Sequence, residues 1–261
     1  MIIDTRTKSL RTLIRKNFKT IINHFIENKI RRNVNENKTV LKEICMFCSS
    51  TQNITKEHVI PKWTFEGSTK KFFITNINGL QQTYNKTTIP ACSVCNNERL
   101  NALEVYTNKL FAEINLETTF FSSSELENII RWLEILDYKF QILNARRLFL
   151  SSKDNGYVRY LADFPLSVLR PEMNYSPFKS LAEIRRSLRR LTIKNKHDNL
   201  NSLIVFKTSN KDFHFFHTMD DFIFLELPQY NIALFYFYKK IFSTDIEAKM
   251  EATKIIEAAY N

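Results

Sequence analysis

Apolar residues Leu10, Leu13, Ile14, Phe18, Ile21, Ile22, Phe25 and Ile26 recur at spacings of three and four, which predicts an amphipathic helix from residue 6 to about 30. Arg6, Lys8, Arg11, Arg15, Lys16 and Lys19 fall mainly off that stripe, so the outer face should be basic. Such a face is either solvated or a surface for nucleic acid or a partner. A polar run at residues 33–39 then interrupts the pattern. Residues 53–63 and 83–90 are rich in β-formers and can pair as strands, with Pro90 marking the end of the second. A helix is expected over 93–115, burying Leu100, Leu103, Val105, Leu110, Phe111 and Ile114.

Ser124 and Glu127 have the spacing of a capping box for a helix to about residue 145, and Ser180 with Glu183 has it for another to about 191. The latter places Arg185, Arg186, Arg189 and Arg190 in one positive patch. Between 203 and 238 the runs LIVF, FHFF, FIFLEL and NIALFYFY alternate with polar clusters, which predicts three or four antiparallel strands. Thr244 and Glu247 cap a last helix. The fold class expected is α+β, divided into a basic helical segment (1–40), a central unit (41–115) and a helical and β-rich remainder (116–261).

Composition adds a bias of charge. The net charge is +11, and residues 1–44 hold eleven Lys and Arg against four Asp and Glu, so most of the field that attracts a polyanion comes from this segment. No apolar stretch approaches the roughly 20 residues of a membrane helix, and no compact apolar leader opens the chain, so a soluble, cytoplasmic protein is expected.

The four cysteines form two pairs, Cys45-x2-Cys48 and Cys92-x2-Cys95, with none left over. This spacing, without an export signal, favours reduced thiolates on one tetrahedral zinc ion over two disulfides or a redox pair. The loop that this metal would close carries Glu57-His58, and Asn96 follows the last cysteine. A histidine of ordinary pKa is mostly neutral at cytoplasmic pH and can take a proton from water. A carboxylate and an amide oxygen suit Mg2+ or Mn2+. In an ideal strand Glu57 and His58 point to opposite sides, so one shared site needs a bulge or a strand end there.

Cys45-x2-Cys48, then Lys56-Glu57-His58-Val59-Ile60-Pro61-Lys62-Trp63, then Cys92-x2-Cys95-Asn96-Asn97 resembles the zinc-bound HNH endonuclease family over about residues 41–105, and Leu103-Glu104 fits the same form. The resemblance implies a ββα-metal core with structural zinc on the four cysteines. It also implies His58 as general base, with Glu57 and Asn96 as ligands of a catalytic Mg2+ or Mn2+. It departs from the family pattern where the middle Asn falls on Thr87, with Asn85 two residues earlier. Asn97 and Asn101 are candidates for a third ligand.

These expectations lead to a metal-dependent endonuclease acting on nucleic acid, DNA favoured over RNA, as an effector of a prokaryotic defence or restriction system with a regulatory protein partner engaging 116–261. The alternative is a catalytically inactive, zinc-stabilised nucleic-acid-binding module. Each residue also has a plainer role available: His58 as a loop histidine, Glu57 as a surface acid, Asn96 as a helix cap, Trp63 as a core anchor, and His214 and His217 as packing residues.

Overall fold

The computed structural model describes residues 5–34, 41–68, 72–74, 81–116, 120–150, 157–158, 164–165 and 177–260. Most of the polar run at 33–39 and the side chain of Asn85 lie outside the described residues.

Helix α1 (Thr5–Val34) runs longer than its apolar stripe predicts. Leu10, Ile14, Ile21, Ile22 and Phe25 are buried as the spacing requires, while Lys8, Arg15, Lys16 and Lys19 are exposed. The central unit follows with β1 (Ile54–His58), a single helical turn α2 (Lys62–Phe65), the short pair β2 (Phe72–Ile74) and β3 (Gln81–Thr83), and β4 (Thr88–Cys92). A π-helical stretch, Val94–Leu100, passes directly into α3 (Asn101–Glu113). The extended segments are shorter than predicted, and the second runs through Pro90 to Cys92 instead of ending at the proline. Pro61 opens α2, whose first turn is closed by Thr64, its backbone N–H and hydroxyl both bonding to the Pro61 carbonyl.

Helix α4 (Ser123–Leu150) is the centre of the molecule. From Ile129 to Ala145 every residue is buried, so no side of this stretch faces solvent. Its cap differs from the predicted one: Glu125 accepts from the backbone and hydroxyl of Ser122, whereas Glu127 lies inside, paired with Arg131. The hairpin of β5 (Tyr157–Val158) and β6 (Phe164–Pro165) leads to α5 (Pro177–Thr192), which packs against α4.

The arginine patch expected on α5 is divided. Arg185 and Arg189 are exposed, but Arg190 is buried between Asp137 and Asp220, and Arg186 bonds to Asp220 at 2.6 Å. A stripe of charge at helical spacing does not reveal which of its members meet carboxylates from distant segments.

The remaining strands, β7 (Leu203–Lys207), β8 (Phe215–Thr218), β9 (Phe222–Leu227) and β10 (Ile232–Phe237), form an antiparallel sheet in the order β7-β10-β9-β8. Period-two alternation divides its side chains. Ile223, Leu225, Ile232, Leu234 and Tyr236 join the core around α4, while Phe224, Ala233, Phe235 and Phe237 pack on Ala248 and Ala252 of α6 (Asp245–Tyr260). The expected Thr244 cap receives the Glu247 N–H at 3.3 Å. His217 stacks on Phe140, and His214 Nδ1 meets Glu226 at 2.7 Å and the Tyr260 hydroxyl at 2.8 Å, tying the end of α6 to the sheet. Residues from α1, the central unit and the remainder share one core.

Candidate metal centre and adjoining strand

The four cysteines converge. All four Sγ atoms lie within 4.8 Å of one another, none is in a disulfide, and Cys45, Cys92 and Cys95 are buried. Tetrahedral thiolates around zinc stand about 3.8 Å apart, so the cluster is of the size needed to hold a metal ion such as zinc. Among the described residues it is the only group of three or more Cys, His, Asp or Glu side chains so arranged.

Local backbone chemistry builds the centre. The Cys45-x2-Cys48 knuckle turns back on itself, with the Ser49 N–H bonded to the Cys45 carbonyl at 2.9 Å and the Cys45 N–H to Ser50 at 2.8 Å. Ser49 adopts a left-handed φ of 57°. The Met46 N–H binds the Pro90 carbonyl at 3.0 Å, joining the knuckle to the strand that delivers the second pair. From outside, the Tyr138 hydroxyl on α4 donates to Met46 O at 2.7 Å, and the Ser49 hydroxyl donates to Asn17 on α1 at 2.8 Å. Crowding of the sulfurs drives their acidities apart. A hydrogen bond from Cys95 pulls Cys45 down to about 5, burial pushes Cys48 up to about 11, and the contact with Cys45 pushes Cys95 up strongly. Sulfurs this close do not all ionise together unaided, and a bound cation would supply the charge that lets all four act as thiolates.

β1 and β4 pair antiparallel, Ile54 opposite Cys92 through His58 opposite Thr88, and the π-helical stretch begins just beyond. The order is strand, strand, helix with the cysteines at the base. His58 is the last residue of β1 and half-buried, its ring 6.5 Å from Phe65. Beyond it the Val59 N–H binds the carbonyl of Thr87 at 3.0 Å. Thr87 thus braces the chain after His58 with its backbone, while its buried hydroxyl donates to Thr83 O at 3.0 Å.

The register is regular through Glu57 and His58, without a bulge, so their side chains leave opposite sides of the ribbon. Glu57 is buried. Its carboxylate pairs with Lys139 of α4, whose ammonium also donates to the His58 carbonyl at 3.1 Å and reaches Glu104 of α3 at 3.4 Å. Burial alone would lower the pKa of Lys139, but Glu57 and Glu104 outweigh it and hold the lysine charged. Glu104 is raised by burial against the pull of Lys139.

Asn96, half-buried one residue after Cys95, donates from its amide to Thr55 Oγ1 at 2.9 Å and Lys56 O at 3.4 Å. It fastens the helix start to β1 on the Thr55 and Glu57 side and keeps its amide oxygen as an acceptor. Asn97 and Asn101 are exposed. Trp63 is a core residue, stacked on Trp132 at 5.8 Å and tilted against Phe111 and Tyr230.

Lys139 was missed by motif reading because it lies 81 residues from His58. The available signal was its setting: between Tyr138 and Phe140, on a helix apolar around most of its circumference, a lysine must be buried and therefore paired.

No helix among the described residues is long and apolar enough to cross a membrane. None of the family models, curated proteins or solved structures compared with the chain matches it.

Proposed function

We propose that this chain is an HNH-type, metal-dependent endonuclease that hydrolyses phosphodiester bonds, most readily in DNA. The observation that carries the reading is the strand-strand-helix order built on four convergent cysteines, with His58 ending the first strand and Asn96 in the first turn of the helix. In this reading the cysteines hold structural zinc and take no part in the reaction.

His58 accepts a proton from water through a ring nitrogen as the water oxygen forms a bond to phosphorus. The P–O bond to the leaving sugar oxygen breaks, and that oxygen takes a proton from solvent. Glu57 and Asn96, on the side of β1 opposite the His58 ring, would supply a carboxylate and an amide oxygen for Mg2+ or Mn2+, and the two sides serve one phosphate only around the strand end that His58 forms. The ion supplies positive charge against the scissile phosphate and the leaving oxygen. Lys139 occupies Glu57 Oε1, which leaves Oε2 for the ion. The likeness of this arrangement to nucleases of bacterial defence and restriction is the basis for proposing such a role, with 116–261 receiving a regulatory protein.

One observation favours a second reading. Glu57 already has a cation, the Lys139 ammonium, and shares it with Glu104. A zinc-stabilised module that binds nucleic acid without cleaving it would show the same pairing. Purified protein incubated with supercoiled plasmid and Mg2+ or Mn2+ separates the two: nicked or linear product supports the nuclease. Intact plasmid together with salt-sensitive DNA binding supports the module.

A further inference from the structure

Two clefts meet on the exposed side of α1. One, of about 150 Å3, is lined by Lys8, Arg11, Thr12, Arg15, Thr192 and Lys194, where the C-terminus of α5 comes against α1. The other, of about 360 Å3, shares Lys8 and Thr12 and continues past Lys16 to Arg99 on the π-helical stretch. Neither lining contains a carboxylate among the described residues. Lys8, Arg15, Lys16 and Lys194 are exposed and Arg99 is half-buried, so these five cations form a row open to solvent on one side, backed by Arg11. Arg11 is buried to 8 % exposure and fixed by donation to the Ile193 carbonyl at 3.1 Å, the carbonyl that Arg131 also uses at 3.2 Å. Burial lowers its pKa, and the neighbouring guanidiniums of Arg131 and Arg15 lower it further against Glu134 and Glu127. Glu134 and Glu127 offset part of this charge from beneath, but with no carboxylate lining either cleft the open side keeps a local excess of positive potential that an anion relieves.

We propose that this row is the track for a nucleic-acid phosphate backbone, running from Lys194 along α1 to Arg99 and so to the π-helical stretch that carries Asn96. The spacing suits it: successive phosphates on one strand stand about 3.4 Å apart along the axis, and Lys8 to Lys16 spans about 12 Å of helix at 1.5 Å per residue. Thr12 offers a hydroxyl between them. The inference rests on the nucleic-acid part of the proposed function and assigns its substrate a surface, but needs no turnover.

The test is binding of a labelled DNA duplex of about 20 base pairs, and of the matching RNA duplex, by fluorescence anisotropy over a salt series without added Mg2+ or Mn2+. Wild type is compared with Lys8→Glu/Lys16→Glu and with Lys249→Glu/Lys254→Glu, a control pair at exposed positions of α6 that changes net charge equally. Circular dichroism checks that each variant is folded. The α1 pair should weaken binding by about tenfold or more near 0.1 M salt and flatten the slope of log K against log salt by about 1.8 on the DNA duplex, the value for two lost phosphate contacts. Equal weakening by both pairs, unchanged binding by the α1 pair, or no wild-type binding to either duplex at low salt would overturn the inference. Binding with the expected loss but no cleavage under Mg2+ would overturn the nuclease and leave the track standing.

Discussion

Lys139 is the residue on which the candidate site depends most and the one that local sequence motifs do not show. An ammonium so buried is stable only with carboxylates at hand, and here it holds Glu57, Glu104 and the backbone of His58 together. Replacing it with Met leaves two buried carboxylates without their counter-charge. Lys139→Met should therefore destabilise the protein by about 3–5 kcal/mol in urea unfolding. A loss below about 1 kcal/mol would mean that the pair does not form in solution. Adding Glu57→Gln to that variant should restore part of the loss, since it removes one of the stranded charges. The strand that carries His58, by contrast, was legible from its β-forming residues, and so was the question of which way Glu57 turns. Only the regular register of β1 against β4 answers it, because a strand's face is set by its partner and by what packs on it.

The elements were readable wherever a period met a boundary signal. The stripe of α1, the Thr244 cap of α6 and the aromatic runs of the four-stranded sheet all found their places. The start of α4 was misread by a short shift because Ser122, Ser123 and Ser124 all offer hydroxyls, and Ser122 with Glu125 has the better geometry. The β1–β4 ribbon is five residues on each strand, too short to hold by itself, and its closure falls to the cysteines at one end. Removing the metal should therefore act locally first. After exhaustive chelation, or in Cys45→Ser, amide hydrogen exchange should rise sharply across β1 and β4 while the middle of α4 keeps its protection, and the melting temperature should fall. Unchanged exchange in β1 and β4 would show that the ribbon does not depend on a metal.

At the scale of the whole molecule, a core crossed by paired charges links α4 to the central unit, to α5 and to the segment that follows it. Besides Lys139, it contains Arg190 with Asp137 and Asp220, and Lys196 with Glu134 at 2.6 Å. None of these pairs is visible at short sequence separation, which is why their partners eluded sequence reading although the apolar core did not. They give stability an acid limit. Burial would raise Asp137, but Arg190 and His217 outweigh it and hold the carboxyl below its ordinary range; for Asp220, Lys239 and Arg190 do the same. A carboxyl depressed by folding binds its proton more readily when unfolded, so its contribution is full above about pH 5 and fades as pH falls through the folded value. Glu104 and Glu183, raised by burial, act in the opposite sense. The useful comparison is therefore Asp137→Asn against wild type: the variant should be less stable at neutral pH and lose less on going from about pH 5 to 2. Parallel curves would remove Asp137 from the acid response.

The charge of α1 and the strand-strand-helix unit beside it lead to one functional claim, that His58 activates water against a phosphodiester. Cleavage of supercoiled plasmid by metal-loaded protein with Mg2+ or Mn2+, wild type beside a folded His58→Ala variant that still binds DNA, tests it most directly. Loss of a catalytic base typically lowers the rate by about 10²–10⁴-fold, so the account predicts nicked or linear DNA from wild type and a loss of that size in the variant. Equal cleavage by both proteins, or none by wild type under either ion, would contradict it.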